Sequence, residues 1–373
     1  MNAIYIWQHK EWPNYKWNDA QLSYKLGKVR RLQGLLIGKI SALGLDVKNN
    51  TVLNTLTADI TKSSEIEGVI LDSDQVRSSV ARHLGMETEG LPEADRYVDG
   101  VVQIMIDATQ KYMEPLTEKR LFNWHAALFP TGRSGMYPIT VANWRQGKAP
   151  MQVVSGAMGK EKVHYQAPDS NDVPYQIDLF LNWVNAKQQI DPVLKAAIAH
   201  LWFITIHPFD DGNGRISRTI TDLLLARSDE MPHRYYSMSA EIRKQRNSYY
   251  TILEKTQKGD IDITKWLEWF LDCMEAAIHY SVTLINTVTQ KADFWDKHRL
   301  DIMNERQIKM INKLWDGFDG KLTSSKWAKI TKCSPDTALR DIQDLISKDI
   351  LQKTDEGGRN TNYELVKDLN KIY

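Results

Sequence analysis

The chain reads as mainly α-helical, with one short β-hairpin and a separate C-terminal unit, and three observations carry that reading. Segments 191–206, 215–227 and 241–256 are free of Gly, and of Pro beyond Pro192, and repeat their apolar residues at spacings of three and four, the period of a helix face. Residues 134–168 break that habit, mixing Gly and Pro with short β-branched pieces. Residues 305–366 then read as three helices followed by two short strands.

Taken in order, residues 1–95 are helical after a Trp-rich start that is expected to fold back on the body. The central body covers 96–290, and a last unit covers 300–373. Asp191 before Pro192 is an N-cap followed by a residue pre-set for the first helical turn. The pieces 151–155 and 162–165, joined around Gly156 and Gly159, are expected to pair as a hairpin. Two strands alone are marginal in water, so the hairpin must lean on helices or act as a flap.

Composition narrows the field. In 373 residues, 42% hydrophobic and 25% charged, a core can form without staples. The only cysteines, Cys273 and Cys333, argue for a reducing compartment and against a disulfide framework. No apolar run suits a leader or a membrane span, so a cytoplasmic location with no membrane partner is expected. A net charge of +1 gives no bulk attraction to nucleic acid.

Residues 207–218 carry the chemistry: His207-Pro208-Phe209-Asp210-Asp211-Gly212-Asn213-Gly214-Arg215-Ile216-Ser217-Arg218. A helix ends at Ile206, Pro208 and two glycines enforce a loop, and a new helix starts near Arg215. Free N–H groups at a helix N-terminus form an anion site, and Asn213 and Gly214 add donors beside it. Arg215 and Arg218 share a face, where like charges repel unless an anion lies between them. Guanidinium forks suit phosphate oxygens. Asp211 would repel phosphate unless Mg2+ bridges the two. His207 alone in this string can take a proton near pH 7. The set suits phosphoryl or nucleotidyl transfer.

The string resembles the signature of the Fic (Fic/DOC) family, His-Pro-Phe-x-Asp/Glu-Gly-Asn-Gly-Arg followed by x-x-Arg, at every fixed position. Similarity extends upstream through Ala199-His200 and downstream through Asn247, Tyr249-Tyr250 and Ile263-Thr264-Lys265-Trp266, covering about 100–280. The resemblance implies a protein adenylyltransferase that uses ATP and Mg2+. His207 would deprotonate the target hydroxyl, and Asp211 would hold Mg2+. Asn213 with the Gly212 and Gly214 backbone would cradle phosphates, which Arg215 and Arg218 would neutralise. Met151, Gln152, Val153 and Val154 would form the flap that aligns a target protein by strand addition. Relatives with Lys in place of Gly214 resemble kinases, so Gly214 favours AMP transfer. Many relatives carry Gly-x-Tyr-Arg before the flap, whereas here Tyr137 precedes Pro138; Arg145 is a candidate for that arginine's place.

Ser63-Ser64-Glu65-Ile66-Glu67-Gly68 resembles the family's inhibitory pattern Ser/Thr-x-x-x-Glu-Gly/Asn. It implies that Glu67 pairs with Arg218 and takes the γ-phosphate position; read alone, the segment would be a solvated helix start. His200 is expected to be a packed core residue, and His125 and His164 show no matching acid or metal partner.

The C-terminal order resembles a winged helix-turn-helix, with Ser334 as N-cap, Pro335 at the first turn and a wing turning at Gly357-Gly358. Lys321, Lys326, Lys329 and Lys332 cluster, with Arg340 and Arg359 in reach of phosphates. Yet 301–373 holds thirteen Lys and Arg against twelve Asp and Glu, and Asp336, Asp341 and Asp344 lie on the would-be recognition helix. Docking or dimerisation is therefore favoured over DNA. The family's habit of pairing makes a homodimer the expected state. Three readings remain open: an adenylyltransferase held off by Glu67, an AMP-removing, bifunctional or kinase-like variant, and a DNA-binding regulator with a nucleotide-sensing body.

Overall fold

The computed structural model describes residues 5–88, 90–147, 149–156, 160, 162–315, 317–318, 320–354 and 361–366. It is mainly helical with a few short strands, as expected, and divides into two compact units, Met1–Val282 and Thr283–Tyr373.

The first unit opens on α1 (Asp19–Ser41), α2 (Leu45–Ile66), α3 (Ser73–His83), α4 (Arg96–Gln110) and α5 (Glu118–Leu128). Two short antiparallel hairpins follow, β1 (Arg133–Ser134) with β2 (Tyr137–Pro138) and β3 (Gln152–Ser155) with β4 (Lys162–Gln166). Then come α6 (Val173–Asn185), α7 (Pro192–Ile206), α8 (Asn213–Asp229), α9 (Met238–Lys244), α10 (Arg246–Gln257) and α11 (Thr264–Lys297), the last running past Val282.

The core forms around α7, whose residues from Val193 to Ile206 are buried except Lys195. Alanines at 196, 197 and 199 let neighbouring helices approach it closely. Asp191 caps α7 as expected, accepting from Val193 N, with Pro192 in the first turn. Trp266 is sealed against this helix and donates Nε1 to Ala197 O at 2.9 Å. The Trp-rich start does fold back on the body. Trp7 Nε1 donates to Gln166 O at 2.9 Å, Trp12 packs edge-on against Trp202, and Lys16 bridges to Asp262.

Two local expectations differ from the structure. The helix expected over 241–256 is broken at Gln245 into α9 and α10. The break lets α10 start at Arg246, whose Nε donates to Ile66 O at the end of α2, 2.7 Å away. Nor is the Ser63–Glu67 stretch a solvated helix start. It is the C-terminal turn and cap of α2, with Ser63, Ser64 and Ile66 buried, followed by Gly68 at φ +81°, where a side chain would be strained.

The second unit holds α12 (Glu305–Trp315), α13 (Ser324–Thr331), α14 (Pro335–Ser347) and the antiparallel pair β5 (Leu351–Lys353) and β6 (Tyr363–Leu365). Its core gathers Met310, Ile311, Trp327, Ile342, Leu345 and Leu351. Ser334 caps α14 by accepting from Thr337 N. Asp341 is turned inward to a bidentate pair with Arg306 at 2.8 and 2.9 Å, tying α12 to α14. Gly159, Gly357, Gly358 and Arg359 lie outside the described residues.

Replacing Trp266 with Ala should cost about 3–5 kcal/mol, the usual range for emptying a sealed aromatic site. The midpoint of denaturant unfolding of the first unit checks it.

Candidate active site

The loop between α7 and α8 is held by its own backbone chemistry. His207 closes α7 in the left-handed region at φ +51°, donating its N–H to Phe203 O. A non-glycine residue there costs about 1–2 kcal/mol, so the neighbourhood must hold it. Arg145 does so. Its backbone N–H donates to Pro208 O at 2.8 Å, its Nε to His207 O at 2.8 Å and its Nη2 to Pro168 O at 2.6 Å. One buried guanidinium thus pins the histidine's carbonyl and the segment just after β4.

The His207 ring sits half-buried with Nδ1 3.1 Å from Ile204 O. A carbonyl can only accept, so the proton is assigned to Nδ1 and the lone pair to Nε2. Burial, helped by the nearby Arg145 charge, pushes its pKa down to about 4. The imidazole is therefore neutral at pH 7 and able to take a proton.

The rest of the loop is cross-tied. The Asn213 side chain accepts from Phe209 N at 3.0 Å and donates to Phe209 O at 2.8 Å, so it closes the loop on itself. Gly212 has φ +83°, and a Cβ there would meet Phe129 Cε2 at 2.9 Å; only glycine fits on both counts. Asp210 accepts from Thr140 N at 2.8 Å. Asp211 accepts from its neighbour Gly212 N at 2.6 Å and from the Ser134 hydroxyl. His125 lies beneath, fully buried and stacked on Phe209 with ring centroids 4.1 Å apart. Its Nδ1 accepts from Ala142 N at 3.2 Å, leaving Nε2–H to donate to Asp211 O at 3.1 Å.

No side chain caps α8 at Gly212, so its first N–H groups face an anion site. The two arginines flank it differently. Arg215 lies over the Phe129 ring, 5.0 Å from its centroid, and donates Nη1 to Tyr97 OH at 2.9 Å; its Nε is buried with no hydrogen bond. Arg218 is only 2% exposed. Its Nε donates to Ser63 Oγ and its Nη2 to Ser63 O, both at 2.9 Å, and Nη2 lies 2.8 Å from Glu67 Oε1. Arg218 Nη1 is buried without a hydrogen bond.

Glu67 reaches into the anion site itself. A Cβ built on Gly214 would stand 2.0 Å from Glu67 Oε1, so the carboxylate lies against the first turn of α8. Tyr250 OH, 3.4 Å from Glu67 Oε2, steadies the other oxygen. Ser63, Glu67, Gly214 and Arg218 are thus brought together, with Asp211 3.9 Å from Arg215 Nη2 at the site's edge.

The hairpin stands beside this loop. Tyr165 on β4 is buried and donates its hydroxyl to Thr205 O at 2.6 Å, fixing the hairpin to α7. Of the four residues expected to form a flap, Gln152 and Val154 are exposed while Met151 and Val153 are half-buried. Among the described residues β3 pairs only with β4, which leaves its other edge open to a further strand.

The structure corrects the expectation that His164 has no acidic partner. Its Nδ1 is 2.7 Å from Glu254 Oε2 and its Nε2 2.6 Å from Ser155 Oγ. His200 is sealed in the core, as expected, between Thr221 and Tyr249. Arg246 and Glu254 went unnoticed in the sequence, and Tyr250 was read only as part of the family pattern, although their spacing of four places all three on one face of α10. Among the described residues no cluster of three His, Cys, Asp or Glu could hold a metal. The lone Asp211 carboxylate suits a cation that takes its other ligands from a bound phosphate.

Residues 115–225 match the Fic/DOC family, and residues 5–86 match a domain of unknown function, DUF4172. The chain therefore carries a Fic/DOC domain, which takes in α5 to α7, the intervening hairpins and all but the last turn of α8. The protein adenylyltransferase Fic of Aedes aegypti is 27% identical over 57% of this chain and 39% of its own length. That of Drosophila yakuba is 26% identical over 67% of this chain and 47% of its own. The chain thus spans less than half the length of these curated relatives. A solved Fic family protein from Desulfovibrio desulfuricans G20 shares the fold, with a TM-score of 0.52 at 19% identity over 92% of this chain and 95% of that one.

Because a Cβ at position 214 would stand 2.0 Å from the flexible end of Glu67, Gly214→Ala should push that carboxylate off Arg218 at a cost of about 1 kcal/mol, the low end of overpacking. In a Glu67→Gly background that cost should vanish. A double-mutant cycle by denaturant unfolding measures the coupling, and equal costs in the two backgrounds would contradict the placement of Glu67.

Proposed function

We propose that this Fic/DOC-domain chain transfers AMP from ATP to a hydroxyl side chain of a target protein, and that Glu67 holds it inactive. The observation that carries the reading is the Glu67 carboxylate set against the first turn of α8 and paired with the buried Arg218. That place is built for an anion, and the chain fills it with one of its own.

In the working state Glu67 gives way to the outer phosphates of ATP. The N–H groups at the start of α8 and the guanidinium groups of Arg215 and Arg218 bind those phosphates. Asp211 is the residue to hold Mg2+, which when bound would spread the phosphates' charge. The neutral Nε2 of His207 accepts the proton of the target hydroxyl. The hydroxyl oxygen bonds to the α-phosphorus, the bond from that phosphorus to the bridging oxygen of the β-phosphate breaks, and pyrophosphate leaves. Arg145 holds His207 in place through its carbonyl, and His125 holds Asp211 through its own. The open edge of β3 aligns the target's backbone, with Met151, Gln152, Val153 and Val154 as the contact residues. With glycine rather than lysine at position 214, the family pattern favours AMP transfer over phosphate transfer.

ATP labelled at the α-phosphate should leave its label on protein, whereas label at the γ-phosphate should not. Protein-bound γ-label would mean phosphate transfer instead. His207→Ala should lower transfer at least about a hundredfold, the usual scale for losing a general base, while ATP still binds. Since burial depresses the imidazole's pKa to about 4, the base is already unprotonated at neutrality. The kcat/KM profile should therefore stay level from about pH 6 upwards and fall only as pH drops towards 4.

A further inference from the structure

Behind the Ser63–Arg218 clasp, one helical turn deeper, α2 and α8 meet again. Asp59, Ser63 and Glu67 follow one another at intervals of four along α2, while Asp222, Arg218 and Gly214 descend at the same interval along α8. The helices run antiparallel here, with Glu67 against Gly214, Ser63 against Arg218 and Asp59 against Asp222. The first two rungs join opposite or complementary groups. The third joins two acids.

Both acids are sealed, Asp59 at 0% and Asp222 at 1% exposure, and the register set by the two rungs above puts them on facing turns of the two helices. Asp59 Oδ1 is taken, accepting from the Ser237 hydroxyl and from Ser239 N at 3.0 Å. Asp59 Oδ2 and Asp222 Oδ1 are buried and make no hydrogen bond. The charged groups around them come from three directions. Arg234, in the segment before α9, lies 3.5 Å from Asp222 Oδ1 but also pairs with Asp229 at 3.0 Å. Tyr236 OH donates to Asp229. Arg218, one turn along α8, is already engaged by Glu67. One guanidinium thus faces three carboxyl groups, and two orphan oxygens cannot both keep a negative charge in a dry site. Burial first, and the Asp59 charge second, hold the Asp222 carboxyl well above the usual range, against the pull of Arg234.

We propose that Asp59 and Asp222 share one proton, and that this proton locks α2, and with it Ser63 and Glu67, against α8. The two acids are positioning residues: they touch no substrate, but they set where Glu67 stands. Its regulatory meaning rests on the reading of Glu67 as a brake, whereas the lock itself does not.

The sign of the effect follows from proton linkage. When α2 lifts from α8 the Asp222 carboxyl enters water and loses the burial that raises it, so lifting releases the shared proton wherever the pH lies above the ordinary carboxylate range and below the raised one. The contact is strongest in acid and weakens as pH rises.

Amide hydrogen exchange of residues 59–68 in the full chain, divided by the intrinsic rate at each pH, reads this directly. Between pH 5 and 7 the opening constant of the native chain should rise by up to about tenfold per pH unit. Asp59→Asn supplies an amide N–H in place of the proton and should flatten that slope; Asp222→Asn should do the same if the first variant folds poorly. A native slope near zero, or equal slopes in native and Asn chains, would overturn the lock. Exchange that follows the predicted slope while AMP transfer stays unmoved would support the lock and count against Glu67 as the brake.

Discussion

A guanidinium buried inside a helical interface must be answered by charge and by acceptors, and Arg218 sets that requirement at the centre of this chain. Left alone it would cost about 3–5 kcal/mol, the penalty for an unpaired buried charge. Ser63 and Glu67 meet it from α2, so the helix that answers Arg218 also ends in the anion site at the start of α8. Burial of Arg218 and the placement of Glu67 against the first turn of α8 are therefore one structural fact. Any anion that displaces Glu67 must take over its neutralising role, which a triphosphate can do and a neutral ligand cannot.

Around that pair the loop is rigid for reasons that can be named. His207 sits in a left-handed backbone conformation only because Arg145 grips its carbonyl. Asn213 and His125 tie the loop's carbonyls and N–H groups from inside. α10 then spans the arrangement: Arg246 and Tyr250 contact the end of α2, and Glu254, on the same face, holds His164 of the hairpin. The β3–β4 hairpin and the end of α2 thus rest on neighbouring turns of one helix.

Much of this was legible in the sequence because it is local. Helical periodicity placed α7 and α8, Asp191-Pro192 marked a cap, and the run from His207 to Arg218 announced an anion site whatever its family. What escaped is long-range. The partners His164 and Glu254 stand 90 residues apart, and Arg145 and His207 stand 62 apart. Nothing in either segment alone shows that they meet. The break at Gln245 escaped for a related reason: its local pattern favours one helix, and the contact of Arg246 with the end of α2 decides otherwise. The Asn213 side chain also ties the loop to itself through Phe209 N and O, a second role that its position in the string did not show.

The central claim is that the Glu67 carboxylate stands where the outermost phosphate of ATP must stand for transfer. It is met most directly by comparing self-labelling from α-labelled ATP in the native chain and in Glu67→Gly at equal concentration. The account predicts a rise of at least about tenfold in the variant, corresponding to about 1.4 kcal/mol of relieved competition. Equal labelling in the two chains, with ATP shown to bind both, would contradict it.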